Sequence, residues 1–119
     1  MKLFNVIKER IKIMTEKLII LLTKAVEQEK TLTYGDIGSE LGVEPIIVEK
    51  LFSEIDDVFK KNGLPPISTI VVNAESNICG NGYFKEHYPN AKDRDKLWIN
   101  NLIAIFSNKK KAVELLSIK

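Results

Sequence analysis

Thr33-Tyr34-Gly35-Asp36-Ile37-Gly38 opens the stretch that decides the fold, and Leu41-Gly42 closes its first segment. Thr33 is an N-cap residue, whose hydroxyl accepts one of the free amide hydrogens of a first helical turn. Asp36 places negative charge where a helix N-terminus favours it. Ile37 and Leu41 share a face, and Gly42 suits a left-handed helix end. Glu44-Pro45 then starts a longer helix, with proline in the first turn where its missing donor has no partner to lose. Val48, Leu51, Phe52, Ile55, Val58 and Phe59 repeat with a period near 3.6. Asn62-Gly63 ends that helix, and Pro65-Pro66 prevents its continuation.

Beyond the prolines the pattern changes. Ile67 to Asn73 is rich in β-branched residues and reads as a strand. Asn73 to Asn81 collects turn formers, and Gly80 and Gly82 permit positive φ, so a hairpin is expected to return through Tyr83-Phe84. The order helix, turn, helix, strand, hairpin is that of a winged helix-turn-helix. Ile37, Leu41, Val48, Leu51, Phe52, Ile55 and Val71 are the expected core.

Outward from this stretch, residues 3 to 28 read as helix. Phe4, Ile7, Ile11 and Met14 recur at spacings of three and four, and Leu18, Leu21, Leu22, Ala25 and Val26 continue the stripe. Thr15 is a residue type that caps helices, so one bent helix and two helices are both open. Residues 93 to 107 read as a helix burying Leu97, Trp98, Leu102, Ile105 and Phe106. Residues 112 to 118 read as a short last helix. The fold class is α+β, mostly helical: one winged-helix domain over residues 1–119, with extra N- and C-terminal helices.

Composition bounds the function classes. The chain has 119 residues, 45% hydrophobic and 29% charged, with a net charge of +2. That balance is ordinary for a globular protein and too small by itself to imply a polyanion partner. One cysteine makes no internal disulfide, which fits a reducing cytoplasmic setting. The apolar run Leu18 to Leu22 lies between Lys17 and Lys24 and is far too short to span a bilayer.

No catalytic constellation is visible. Cys79 has no cation or helix start beside it to depress its pKa. His87 is the sole histidine, so neither a His-rich metal site nor a Ser–His arrangement is expected within one chain. Glu86 and the run Asp93 to Asp95 are read as solvated charge. Gly80-Asn81-Gly82 lacks the following lysine and hydroxyl residue of a phosphate loop. The expectation is no catalytic residue, no metal and no cofactor.

The central segment resembles the DNA-binding domain of alkylguanine-DNA alkyltransferases and the catalytically inactive alkyltransferase-like proteins. The likeness rests on Thr33-Tyr34-Gly35, on Leu41-Gly42, and on a proline, Val71-Val72 and closing Gly-x-Gly-Tyr order across about half the chain. The family's reactive segment reads Pro-Cys-His-Arg before its valine pair, where this chain has Ile67-Ser68-Thr69-Ile70. Ser68 thus replaces the alkyl-accepting cysteine, and the resemblance implies no alkyl transfer. Val43-Glu44-Pro45-Ile46 also stands where the family carries an arginine at the second helix. The segment looks similar, in addition, to small bacterial proteins with a Gly-Leu-Pro-Pro, Val-Val-Asn, Gly-x-Gly pattern, which implies no activity.

Two functions of different classes follow. The first is a non-enzymatic, weakly sequence-specific binder of double-stranded DNA using Tyr34, Tyr83, Lys85, Lys109, Lys110 and Lys111. The second is a winged-helix scaffold for a protein partner or self-association through the apolar first helix, with no nucleic acid. The acidic second helix, with Glu44, Glu49, Glu54, Asp56 and Asp57 against Lys50, Lys60 and Lys61, opposes phosphate binding. Tyr34 and Tyr83 suit contact with a nucleic acid or packing equally well.

Overall fold

The computed structural model describes residues 2–77 and 79–117, with the side chains of Phe4, Ile7 and Pro45 outside that description. The expected inward face of Phe4 and Ile7, and Ile118 in the last helix, therefore lie outside the described residues. Helix α1 (Lys2–Glu27) leads to strand β1 (Leu32–Thr33), then α2 (Tyr34–Leu41) and α3 (Pro45–Lys61). A 3-10 turn (Ile67–Ile70) runs into β2 (Val71–Val72), followed by α4 (Asn81–His87), α5 (Arg94–Ser107) and α6 (Lys109–Leu116). The mostly helical α+β class holds.

Helix α1 is one continuous element. Thr15 does not cap a second helix; its hydroxyl donates to the Ile11 carbonyl at 2.8 Å, a bond available inside a helix.

Helices α2 and α3 form where local chemistry specifies them. The Thr33 hydroxyl accepts from the Asp36 amide at 3.0 Å, and the Asp36 carboxylate accepts from the Thr33 amide at 3.4 Å. This reciprocal capping box satisfies two amides that helix geometry leaves free. Gly42 sits at φ 72 and ψ 31, a left-handed conformation costly for any residue with a Cβ. Gly63 does the same beyond α3 at φ 79. Thr33→Ala is expected to lower stability by about 1 kcal/mol, since it removes one cap acceptor; urea denaturation followed by circular dichroism measures it.

The hairpin is not formed. Residues 67–70 wind into the 3-10 turn, and only Val71 and Val72 are extended. They pair in parallel with β1, Leu32 opposite Val71 and Thr33 opposite Val72. Tyr83 and Phe84 lie on α4, not on a return strand. Gly80 is extended at φ −74, and the positive-φ glycines are Gly42 and Gly63 among the described residues. The left-handed geometry that a tight hairpin needs is thus absent from Gly80-Asn81-Gly82. The α4 helix instead turns Tyr83 and Phe84 inward, where both are buried.

Two apolar clusters result. The larger joins Leu18, Leu22, Ile37, Val48, Phe52, Phe59, Ile67, Ile70, Ile105 and Leu116. Of the expected core, Ile37, Leu41, Val48, Phe52 and Val71 are buried, while Leu51 and Ile55 are half-buried against it. The smaller joins Val72, Cys79, Tyr83, Phe84 and Trp98, with Leu97 and Leu102 at its edge. Helix α6 starts at Lys109, three residues before its expected start at Ala112. Ile99 and Ile103 of α5 face outward.

Candidate functional site

Asp56 organises the most concentrated polar chemistry of the fold. Helix α3 carries it at an inward position, four residues after Phe52 and three before Phe59, so its carboxylate enters the protein. It is 3% exposed. Oδ1 accepts from the Ser68 amide at 2.9 Å, and Oδ2 accepts from the Ser68 hydroxyl at 2.8 Å. His87 Nε2, from α4, lies 3.2 Å from Oδ2. Burial holds the Asp56 carboxyl above its ordinary value, against the hydrogen bonds from Ser68 and the neighbouring His87, which pull it down.

An ionised Asp56 can only accept, so in that state the hydrogen bond to Oδ2 is donated by His87 Nε2. Nδ1 is buried and has no hydrogen-bond partner among the described residues. The imidazole meets the carboxylate and not the Ser68 hydroxyl, and Ser68 gives its own proton to Asp56. This differs from a Ser–His–Asp relay, in which histidine takes the serine proton. Its evident work is to bind the 3-10 turn to α3 and α4.

A small cavity of about 100 Å³ adjoins the cluster, lined by Tyr34, Glu49, Ser68, Tyr83, Glu86 and His87 among others. It is well below the roughly 300–1,000 Å³ of pockets that enclose drug-sized ligands. Tyr34 and Tyr83 thus come together, though 49 positions separate them in the sequence. Burial raises the phenol pKa of both. The Tyr83 hydroxyl lies 2.6 Å from Thr69 Oγ1 and accepts from Asn101 Nδ2 at 3.1 Å. Cys79 is also buried, its thiol 3.5 Å from the Thr69 carbonyl, and burial pushes its pKa up, the reverse of an activated thiol.

The lysines do not join this site. Lys109 Nζ pairs with Glu29 at 3.0 Å and reaches the Glu27 carbonyl at 3.4 Å, beside the C-terminus of α1. Lys111 Nζ donates to the Asn62 carbonyl at the end of α3. Both supply positive charge where helix ends carry partial negative charge. Lys110 is exposed on α6, and Lys85 is exposed on α4. Of the six expected nucleic-acid residues, Tyr34 and Tyr83 line one cavity, while Lys109 and Lys111 meet the ends of α1 and α3. Along α3, Glu44, Glu49, Glu54 and Asp57 face solvent, and Ile46 at the start of the helix is 59% exposed.

A second feature is the first half of α1. Every described side chain from Lys2 to Ile13 is exposed, including Leu3 at 73%, Val6 at 48%, Ile11 at 49% and Ile13 at 47%. Helix packing begins around Met14, which is half-buried against the main cluster. These twelve residues extend over about 18 Å. Next to them a groove of about 360 Å³ opens between α1, α3 and α6, lined by Lys12, Ile19, Glu54, Ile55, Val58 and Leu115 among others.

No helix among the described residues is long and apolar enough to cross a membrane. No group of histidine, cysteine and carboxylate side chains suited to holding a metal occurs among the described residues. No family model, curated protein or solved structure matches this chain.

Proposed function

We propose that this chain is a non-enzymatic protein-interaction domain whose partner surface is the first half of α1. The observation that carries this reading is the exposure of Leu3, Val6, Ile11 and Ile13 on one helix that projects beyond the packed core. Leu3, Val6 and Ile13 lie along one side of the helix and Ile11 on another, and exposed apolar side chains gathered on one element mark interaction surfaces more often than scattered ones. The polar cluster under Asp56 is spent on internal bonds, which supports a scaffold more than a reaction centre.

A second reading, non-enzymatic binding to double-stranded DNA in the manner of alkyltransferase-like proteins, is favoured by one observation. Tyr34, Ser68 and Tyr83, the positions singled out by that resemblance, line the same cavity. Glu49 and Glu86 at its edge, and the carboxylates along α3, oppose a phosphate backbone. This places the DNA reading second.

Affinity capture with the full chain and with a Val6→Asp, Ile11→Asp variant tests the first reading. Both positions are exposed, so the fold is expected to survive, as circular dichroism would report. Proteins retained by the wild type should be lost with the variant. An identical retained set for both, or duplex DNA binding at physiological salt that the variant leaves intact, would overturn it.

A further inference from the structure

Residues Phe4, Ile7, Ile11, Met14, Leu18, Leu21 and Ala25 of α1 follow a strict alternation of three and four, the a and d positions of a heptad. The seam has two halves of different fate. In the second half Leu18 is fully buried, Ala25 is 4% exposed and Leu21 is half-buried, all packed in the main cluster. Helices α6, α2 and α5 of the same chain pack against α1. In the first half the side chains of Phe4 and Ile7 lie outside the description, and Ile11 is 49% exposed. Among the described residues the stripe therefore runs from buried Leu18 and Ala25 to exposed Ile11.

We infer that an acidic amphipathic helix of a partner protein covers this first half, packing on the a and d positions between its basic flanks. This rests on the protein-interaction reading and names the chemistry of the partner. The flanking e and g positions are Leu3, Lys8, Arg10, Thr15 and Lys17, with no carboxylate among them. Across residues 2–17 the side chains Lys2, Lys8, Arg10, Lys12 and Lys17 outnumber Glu9 and Glu16, and both glutamates fall at f, away from the seam. A second copy of this helix offers no carboxylate at e or g over residues 2–17, so neither orientation gains a flanking ion pair, and the excess of positive charge on both copies disfavours self-pairing. Glutamates on a partner would meet these cations, and flanking charges of this kind set partner choice.

A lipid surface is the weaker match. The further apolar positions Val6, Ile13 and Ile20 form a second stripe, separated from the seam by Arg10 and Lys17. An interfacial helix presents one broad apolar face, whereas a narrow seam with charged flanks is the form that receives a helix.

The test uses the full chain and two labelled 21-residue peptides, each with leucine at a and d. One carries glutamate at e and g, so that its own charges oppose self-pairing, and the other carries lysine there. Fluorescence anisotropy should show binding of the glutamate peptide, weakening as salt rises, and none of the lysine peptide. Ile11→Asp should weaken binding roughly tenfold or more, as loss of a central apolar anchor does. Equal binding of both peptides, no binding of either, a dimer by light scattering, or preferential binding to phosphatidylserine vesicles would each overturn the inference. Absence of peptide binding together with Ile11-dependent protein capture would sink the acidic-helix inference and leave the interaction reading standing. Capture indifferent to Ile11 would remove that reading itself.

Discussion

Asp56→Ala is expected to destabilise the protein by about 3–5 kcal/mol, a large share of a typical domain's stability. The substitution strands three groups at once. The Ser68 amide, the Ser68 hydroxyl and His87 Nε2 all lose their acceptor at a position 3% exposed. The amide is the most costly of these, because an unpaired buried N–H cannot rotate to find another partner. Asp56→Asn should cost much less, about 1–2 kcal/mol, because the new oxygen still accepts from the Ser68 amide and the new amide group donates to the Ser68 hydroxyl. The two variants also separate the effect of pH. The folded carboxyl has its pKa raised above the ordinary 3.8, so folding favours its protonated form. The stability contributed through Asp56 is then fully present below about pH 3.8 and is lost as pH rises through the folded value. The stability of the wild type relative to Asp56→Asn should therefore grow on acidification. Urea denaturation of both proteins from neutral to acidic pH measures this difference and cancels the other carboxylates. A constant or shrinking difference would show that the hydrogen bonds of Ser68 and His87, rather than burial, dominate at this carboxyl.

The sequence was legible where one short segment carries the whole instruction. Thr33, Asp36 and Gly42 specify the ends of α2 by their own side-chain and backbone chemistry, and the period of α3 survives any tertiary arrangement. It was misleading where two segments distant in sequence decide the outcome. Ile70-Val71-Val72 reads as a strand in search of a near neighbour, and the Gly-rich stretch that follows supplies an apparent turn. The actual partner is β1, which lies 39 residues earlier, and the parallel pairing leaves no local signature. Composition alone counts Asp56 with the other carboxylates of α3. Its burial depends on Ser68, twelve residues away, and His87, thirty-one residues away. One signal was available: Phe52, Asp56 and Phe59 stand at i, i+4 and i+7, so the carboxylate interrupts an apolar stripe instead of decorating a solvated face. A charge at such a place requires partners inside the protein. Tyr34 and Tyr83 were singled out and do converge on one cavity. Lys109 and Lys111 were drawn from a charge run, whose meaning depended on Glu29, Asn62 and the helix ends they meet.

Trp98→Ala is expected to cost about 3–5 kcal/mol, and its effect should be concentrated at α4. Trp98 is the largest side chain of the smaller cluster, and its indole Nε1 donates to the Thr69 carbonyl at 2.9 Å. Thr69 is fully buried and serves as the meeting point of four elements or loops. Its carbonyl receives Trp98 of α5 and the Cys79 thiol, and its hydroxyl meets Tyr83 of α4, which Asn101 of α5 also reaches. Helix α4 has only seven residues, too few for a helix to hold alone, so it depends on this packing. Trp98→Phe retains much of the apolar area and removes the donor, leaving the Cys79 thiol as a weak donor to the same carbonyl. It should cost less than the alanine variant. Hydrogen exchange should show residues 81–87 losing protection in Trp98→Ala well before α2 and α3, whose cluster centres on Phe52 and Phe59 instead. Uniform loss of protection across both clusters would mean that they unfold as one unit. A cost below about 0.5 kcal/mol, the range of surface substitutions, would mean that Trp98 does not anchor α4.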